Sequence, residues 1–372
     1  MVRFSSLALA ALSSLALLPG GAVAQSWTQC NPLQTNPALG LTINVDFTKG
    51  AVNSFAAGGT PTYDSNGASF TVARPGDAPQ LISLFYIMFG RVEIVMKAAP
   101  GAGIVSSVVL QSDDLDEIDM EWLGANPNQM QSNYFGKGQV TSYNRGQFHD
   151  VQGTQTNWIK YTVDWTQDRI VWLAGDTVLR TLSHKDAEAN QYPQTPMQVK
   201  FGSWSGGDAG NNAPGTVKWA QGPTDFTRGP FTMMVKSVVI TDYSTGKQYV
   251  YSDTTGSWQS IRAEGGFING NLNSRGGITA TATAVGSTAP TPAAVPVGGI
   301  GHDGSNAAAT QTGWPWVAGA APSSGSIPAG WYIAPDGKIR RENSASTPVP
   351  SGVTLLLGPF LMGILAIAVR LI

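Results

Sequence analysis

The chain is 372 residues long, with only 12% of them charged and a formal net charge of −2. That balance offers no electrostatic case for a nucleic-acid partner. Cys30 is the single cysteine, which excludes an intrachain disulfide and leaves a thiol that is free or paired with another chain.

In chain order, residues 1–24 read as a secretory signal. Arg3 precedes an apolar run from Leu7 to Leu18, and Ala22-Val23-Ala24 before Gln25 forms a small-residue cleavage site. Beyond Trp27, short apolar or alternating runs follow one another, separated by Gly, Pro, Asn and Asp. Residues 68–72 and 90–96 read as strands, as does the β-branched run Ile104-Val105-Ser106-Ser107-Val108-Val109-Leu110.

The next segment, Asp113-Asp114-Leu115-Asp116-Glu117-Ile118-Asp119-Met120-Glu121-Trp122, holds six carboxylates in ten residues. Leu115, Ile118 and Trp122 fit a helical stripe. The β-branched run upstream and the turn Gly124-Ala125-Asn126-Pro127 downstream favour a strand instead. In a strand, Glu117, Asp119 and Glu121 line one face while Ile118, Met120 and Trp122 enter the core. Like charges side by side cost stability, so a merely solvated face would mix signs. An acidic patch and a calcium site are the plainer alternatives. Cleavage of a glycosidic bond is a chemistry that needs such a row: one carboxylic acid protonates the leaving oxygen, and one carboxylate attacks or activates water. At roughly 3.3 Å per residue, the Cα atoms of Glu117 and Glu121 lie about 13 Å apart. Retaining pairs bring their carboxyls to about 5–5.5 Å and inverting pairs to about 6.5–9.5 Å. Side chains leaning together on a concave sheet close much of the gap, so spacing alone leaves the stereochemistry open.

Further strands are expected at 159–165, 169–173 and 231–240, with one short helical turn between Leu182 and Asn190. Many short strands with regular turn signals predict an all-β sandwich or jelly roll. Its span, residues 25–264, is long enough to bury a sizeable core without disulfides. His149 and His184 read as structural, no His/Cys/Asp cluster has zinc spacing, and neither metal nor cofactor is expected.

From 265 to 342 the chain turns to Gly, Ala, Ser, Thr and Pro, a composition that cannot bury enough apolar surface to fold. It reads as a disordered stalk with hydroxyls open to O-glycosylation. Trp314, Trp316, Trp331 and Tyr332 interrupt it without an assigned role. Residues 343–372 begin with Asn343-Ser344-Ala345, continue through a polar spacer, and end in an apolar tail broken only by Arg370. That is the order of a GPI-attachment signal, with attachment near Asn343. A tail of about 20 apolar residues also fits a transmembrane anchor, although no Lys/Arg cluster follows it. Both readings place the mature protein outside the plasma membrane.

The acidic strand, set in an extracellular β protein, resembles glycoside hydrolase family 16. More narrowly it is similar to the fungal Crh group of chitin–glucan crosslinking transglycosylases. Supporting residues lie on both sides: Gly90-Arg91-Val92-Glu93, Phe148-His149, Tyr161-Thr162-Val163-Asp164-Trp165, Pro193-Gln194-Thr195-Pro196-Met197, Gly202-Ser203-Trp204 and Gly215-Thr216-Val217-Lys218-Trp219-Ala220. The resemblance covers about residues 26–260.

It implies a jelly-roll β-sandwich of two antiparallel sheets with a concave sugar-binding cleft. Position by position, it implies Glu117 as nucleophile, Glu121 as general acid/base and Asp119 as the assisting carboxylate, with retention through a covalent glycosyl-enzyme. Lys200, Trp204, Thr216 and Trp219 fall at sugar-contacting positions. The tryptophans would offer flat faces to pyranose rings, and core packing is the competing use of each. The charge of Asp119 is expected to raise the pKa of Glu121. Two departures stand out. Members usually carry a second cysteine soon after the position of Cys30, where this chain has Gln34-Thr35-Asn36-Pro37. No cysteine-rich chitin-binding module is present, so chitin affinity would come from the cleft.

The implied activity is cleavage of chitin and transfer of the fragment to β-glucan or chitin in the cell wall, beside the membrane that holds the GPI anchor. A hydrolase of the same fold, acting on β-glucan or chitin, is the alternative. A lectin-like wall protein fits less well, because a lectin has no need of three aligned acids.

Overall fold

The computed structural model describes residues 35–138 and 144–272, with the backbone of 279–281, 331–333 and 339–341. The expected secretory signal, Cys30, Trp314, Trp316, the side chains of Trp331 and Tyr332 and the expected GPI-type tail lie outside the described residues. Among the described residues no helix is long and apolar enough to cross a membrane.

The strands in chain order are β1 (Thr35–Pro37), β2 (Thr42–Asp46), β3 (Phe55–Gly58), β4 (Thr62–Asp64), β5 (Gly67–Val72), β6 (Gln80–Ser83), β7 (Gly90–Lys97), β8 (Ile104–Ser112) and β9 (Glu117–Leu123). There follow β10 (Gln129–Phe135), β11 (Gln147–Asp150), β12 (Ile159–Trp165), β13 (Arg169–Ala174), β14 (Thr177–Ser183), β15 (Met197–Ser205), β16 (Phe231–Asp242), β17 (Gln248–Tyr251) and β18 (Ile261–Glu264). Every strand expected from the sequence is found within two residues of its place. The turn expected after Leu182 is a single 3₁₀ turn, His184–Asp186. One short helix, α1 (Pro214–Trp219), falls where no element was expected from the sequence. Its signal is Pro214, since proline at the first helical position loses no hydrogen bond there.

The strands form a jelly roll. One sheet runs β11-β10-β9-β8-β15-β6-β3, the other β14-β13-β12-β7-β16-β2, with β5 pairing the free part of β16. The chain alternates between layers: β7 lies in the second sheet, β8 to β11 in the first, β12 to β14 in the second, β15 in the first and β16 in the second. Period-2 alternation makes this possible. On β7, Val92, Ile94 and Met96 are buried, while Arg91 and Glu93 stay partly exposed and pair at 3.2 Å. Between the sheets, Trp122 of β9 meets Tyr161 of β12 edge-on at 4.6 Å, and Phe201 of β15 meets Phe70 of β5 at 5.8 Å. Fully burying such side chains stabilises by about 1.5–3 kcal/mol each, which is how a chain without disulfides holds two sheets together.

Three of the six clustered acids serve this frame. Asp113, Asp114 and Asp116 lie in the turn joining β8 to β9, where Leu115 takes the left-handed conformation at φ 63°. Asp113 accepts hydrogen bonds from Asn36 Nδ2 at 2.7 Å and from Tyr86 Oη at 3.0 Å. Asp116 is fully buried. It accepts from Lys137 Nζ at 2.8 Å, Lys137 N at 3.0 Å, Gln194 N at 2.8 Å and Thr195 Oγ1 at 2.7 Å. The segment Pro193–Met197 is therefore a clamp on the turn that launches the acidic strand. In the stretch where this chain departs from the resemblance by lacking a second cysteine, β1 pairs with β17, Asn36 opposite Tyr249.

Removing Asp116 leaves the Lys137 ammonium buried without its closest counter-charge. Asp116→Ala is predicted to lower unfolding free energy in urea by about 3–5 kcal/mol. Asp116→Ala with Lys137→Met should cost less than Asp116→Ala alone, because the stranded charge is gone.

Candidate active site

On β9, Ile118, Met120 and Trp122 are completely buried, so Glu117, Asp119 and Glu121 face away from the core. Beneath them Trp172 of β13 donates its indole N–H to the Asp119 carbonyl at 3.1 Å, tying the strand to the opposite sheet. Across the ladders, Ser107 and Gln131 stand opposite Glu121, Val109 and Asn133 opposite Asp119, and Gln111 and Phe135 opposite Glu117. One strand farther, Lys200 faces Val109, Gly202 faces Ser107 and Trp204 faces Val105. Residues paired directly across a ladder share a face, so all of these surround the acids. Gly202 is required for close approach, since a side chain there would collide with the carbonyl of Pro79.

A cleft crosses the strands with the acids at its middle. Toward β8, β15 and β6 it opens into about 350 Å³ lined by Gln80, Ser107, Lys200 and Gly202. Toward β10 and α1 it opens into about 520 Å³ lined by Gln131, Asn133, Phe135, Thr216 and Trp219. Glu117, Asp119, Glu121 and Trp204 line both halves. All seven residues singled out from the sequence thus reach one cleft, with Lys200 in one half and Thr216 and Trp219 in the other.

The tryptophans are half-buried. Their rings stack 6.3 Å apart at 27° over a small apolar cluster of Val105, Leu123 and Ala220. Trp204 donates to Ser107 Oγ at 3.2 Å, and Ser107 lies 3.4 Å from Glu121 Oε1. Trp219 donates to Gln131 Oε1 at 3.2 Å. Each is part packed and part wall, so the same rings serve both core and cleft.

Lys200 differs from expectation in its partner. Its ammonium donates to Gln111 Oε1 at 3.1 Å, and Gln111 Nε2 donates in turn to Glu117. The lysine fixes which way the Gln111 amide points, and the amide N–H then holds the Glu117 carboxyl in place. Ser107, Gln111, Gln131 and Asn133 were not picked out from the sequence. The usable signal was alternation on the flanking strands, Ser107-x-Val109-x-Gln111 and Gln131-x-Asn133-x-Phe135, which repeats that of the acids.

Burial pushes the Glu121 carboxyl up to about 8, the nearby Glu117 adds to the shift, and the Ser107 hydroxyl opposes it. Asp119 rises well above the ordinary carboxylate range, chiefly through burial, then through Glu117 and Glu121, with Lys200 pulling the other way. Asp119 was expected to supply the charge that raises Glu121. Instead burial and the two glutamates raise Asp119 itself, and Glu117 is the charge that Glu121 feels. Away from the cleft, His149 Nε2 lies 2.8 Å from Ser132 Oγ and His184 stacks on Tyr192 at 4.3 Å. Among the described residues no group of three or more His, Cys, Asp or Glu side chains is arranged to hold a metal ion.

Residues 48–221 match the family model for glycosyl hydrolases family 16. A Crh-like protein 4 of Botryotinia fuckeliana is 55% identical over 352 residues, covering 91% of this chain and 92% of that one. A Crh-like protein 4 of Aspergillus fumigatus is 48% identical over 350 residues, covering 91% of this chain and 77% of that one. The chain belongs to glycoside hydrolase family 16, in its Crh-like group. It is an enzyme of the glycosidase–transglycosylase class. Among solved structures, a Crh5 transglycosylase in complex with NAG is 47% identical, with a TM-score of 0.61, covering 63% of this chain and all of that one. The family core therefore lies on the jelly roll, and the matched span contains all seven cleft residues.

The raised carboxyls make stability depend on pH. Between the usual carboxylate range and about 8, native Glu121 keeps a proton that the unfolded chain releases. Stability from this group is complete at acid pH and is lost as pH rises through about 8. Glu121→Gln should flatten part of that decline in urea titrations between pH 5 and 9. Asp119 and buried Asp242, whose carboxyl is raised to about 7, contribute the remainder with the same sign.

Proposed function

We propose that this protein is a retaining cell-wall transglycosylase that cleaves chitin and passes the fragment to β-glucan or chitin, with hydrolysis as a side reaction. The observation that carries this reading is a buried Glu121, its carboxyl raised to about 8, beside a hydrogen-bonded Glu117 at the midpoint of a cleft open on both sides. Donor chitin is supported by the NAG bound in the Crh5 transglycosylase, and an acceptor by the space and aromatic wall beyond β9.

In the first step Glu117 attacks the anomeric carbon, the bond to the leaving sugar oxygen breaks, and Glu121 gives that oxygen its proton. Gln111, oriented by Lys200, holds Glu117 in place for the attack. In the second step an acceptor hydroxyl gives its proton to Glu121 and attacks the same carbon, releasing Glu117. Asp119, whose carboxyl burial and Glu117 raise well above the ordinary range, shares a side-chain hydrogen bond with Glu117 and assists it from there. Lys200 serves the donor half, Thr216 and Trp219 the acceptor half, and Trp204 borders both. Water at about 55 M competes with the acceptor, so a sugar wins through a held pose, where effective molarity is large.

The same reading extends to the ends of the chain. Residues 1–24 direct secretion, 25–264 act, 265–342 form a stalk, and 343–372 are replaced by a GPI anchor near Asn343 that keeps the enzyme beside the wall.

Incubating the secreted protein with chitin oligomers and a labelled β-glucan oligomer should yield mixed products; labelled glucan recovered unchanged beside shortened chitin would make it a hydrolase. Glu117→Gln should abolish transfer and hydrolysis, leaving less than about 1% activity with the fold intact by circular dichroism. Activity should fall as pH rises through about 8, where Glu121 loses the proton it must give. Trp219→Ala should move the product ratio toward hydrolysis more than it slows donor cleavage; a fixed ratio with slower cleavage would place Trp219 in the donor half.

A further inference from the structure

Among the described residues four large apolar side chains stand exposed: Phe148, Val178, Phe267 and Leu272. Val178 belongs to β14 in the opposite sheet, and the last two follow β18. Phe148 alone of the four lies on the sheet that bears the cleft, on its edge strand β11, and it is 47% exposed.

Register fixes its face. Phe148 stands directly opposite Gln131, which in turn stands opposite Glu121 and then Ser107. Gln131 lines the cleft, and directly opposed residues share a face. Two residues before Phe148, Gly146 also lines the cleft, and a Cβ added there would come 3.1 Å from the Gln131 amide. The alternate residue His149 turns the other way, toward Ser132 and the buried Met130. At about 4.8 Å per strand, Phe148 lies about 10 Å beyond Glu121 across the sheet, past Gln131 and Trp219.

We infer that Phe148 is an outer aromatic platform that stacks on the apolar face of a distal sugar unit in the acceptor chain. This rests on the reading of the Trp219 side as the acceptor half. An exposed ring on an otherwise polar edge invites association with a flat apolar surface, and a β-linked pyranose emerging from the cleft presents one. The platform would favour long acceptors over short ones, because only a chain that continues past Gln131 and Trp219 reaches β11.

The test is oligosaccharide binding to the full secreted protein carrying Glu117→Gln, so that turnover does not consume the ligand. Chitin and β-1,3-glucan oligomers from disaccharide to hexasaccharide serve as probes, with affinity read by calorimetry. Adding Phe148→Ala should weaken the longest oligomers about fivefold and leave the disaccharides within about twofold. Phe148→Trp should restore or exceed the original gain with length, and Phe267→Ala, which removes an exposed ring elsewhere, should leave it unchanged. An unchanged length dependence in Phe148→Ala would overturn the platform. In the active protein, Phe148→Ala should also reduce the preference for long acceptors in transfer products. If it lowered oligomer binding while changing donor-length preference instead, the platform would stand and the acceptor assignment of that half would fail.

Discussion

Three carboxyl groups that alternate on one rigid strand cannot all be ionised in a half-buried cleft. Burial and the neighbouring Glu117 raise both Asp119 and Glu121. The Asp119 and Glu121 carboxyls are raised and so hold a proton more firmly than ordinary carboxyls, while the Gln111 amide N–H is directed at Glu117. Chemistry and stability meet in that arrangement, because the same burial that raises Glu121 makes it an acid near neutral pH.

Such crowding persists only if the strand cannot relax away from it. β9 is held from below by Ile118, Met120 and Trp122 and by the Trp172 indole on the Asp119 carbonyl. It is held at its start by the Asp116–Lys137 pair with Gln194 and Thr195. The acidic run therefore divides by function. Asp113, Asp114 and Asp116 build the turn, and the alternating acids after it face the cleft.

Much of this was legible in the sequence, for a physical reason. A period-2 pattern determines which face a side chain takes, so the acids, the strands and the all-β class followed from alternation and turn residues. Less legible was everything that depends on which strand lies beside which. Gln111, Gln131 and Asn133 are ordinary polar residues until register sets them against Glu117, Glu121 and Asp119. Lys200 was recognised as a cleft residue, but its grip on Gln111 is a contact between residues 89 positions apart. The cause of the high Glu121 pKa was likewise out of reach, since burial is a property of the folded state. Helix α1, six residues long, was missed because its stability comes from seating Trp219 against Trp204 and Ala220 rather than from propensity.

The division of the cleft into two unequal halves, with both glutamates shared between them, suits a reaction in which one partner leaves and another enters on the same side of the broken bond. Transfer then depends on how firmly the entering chain is held relative to water. The central claim is that Glu117 forms the covalent bond to sugar and Glu121 supplies the proton. Its most direct test is peptide mass spectrometry of Glu121→Gln protein incubated with a chitin oligomer bearing a leaving group that needs no protonation. The sugar is predicted to accumulate on Glu117, because deglycosylation lacks its base; finding it on Asp119 or Glu121, or finding no covalent adduct while product is released, would contradict the account.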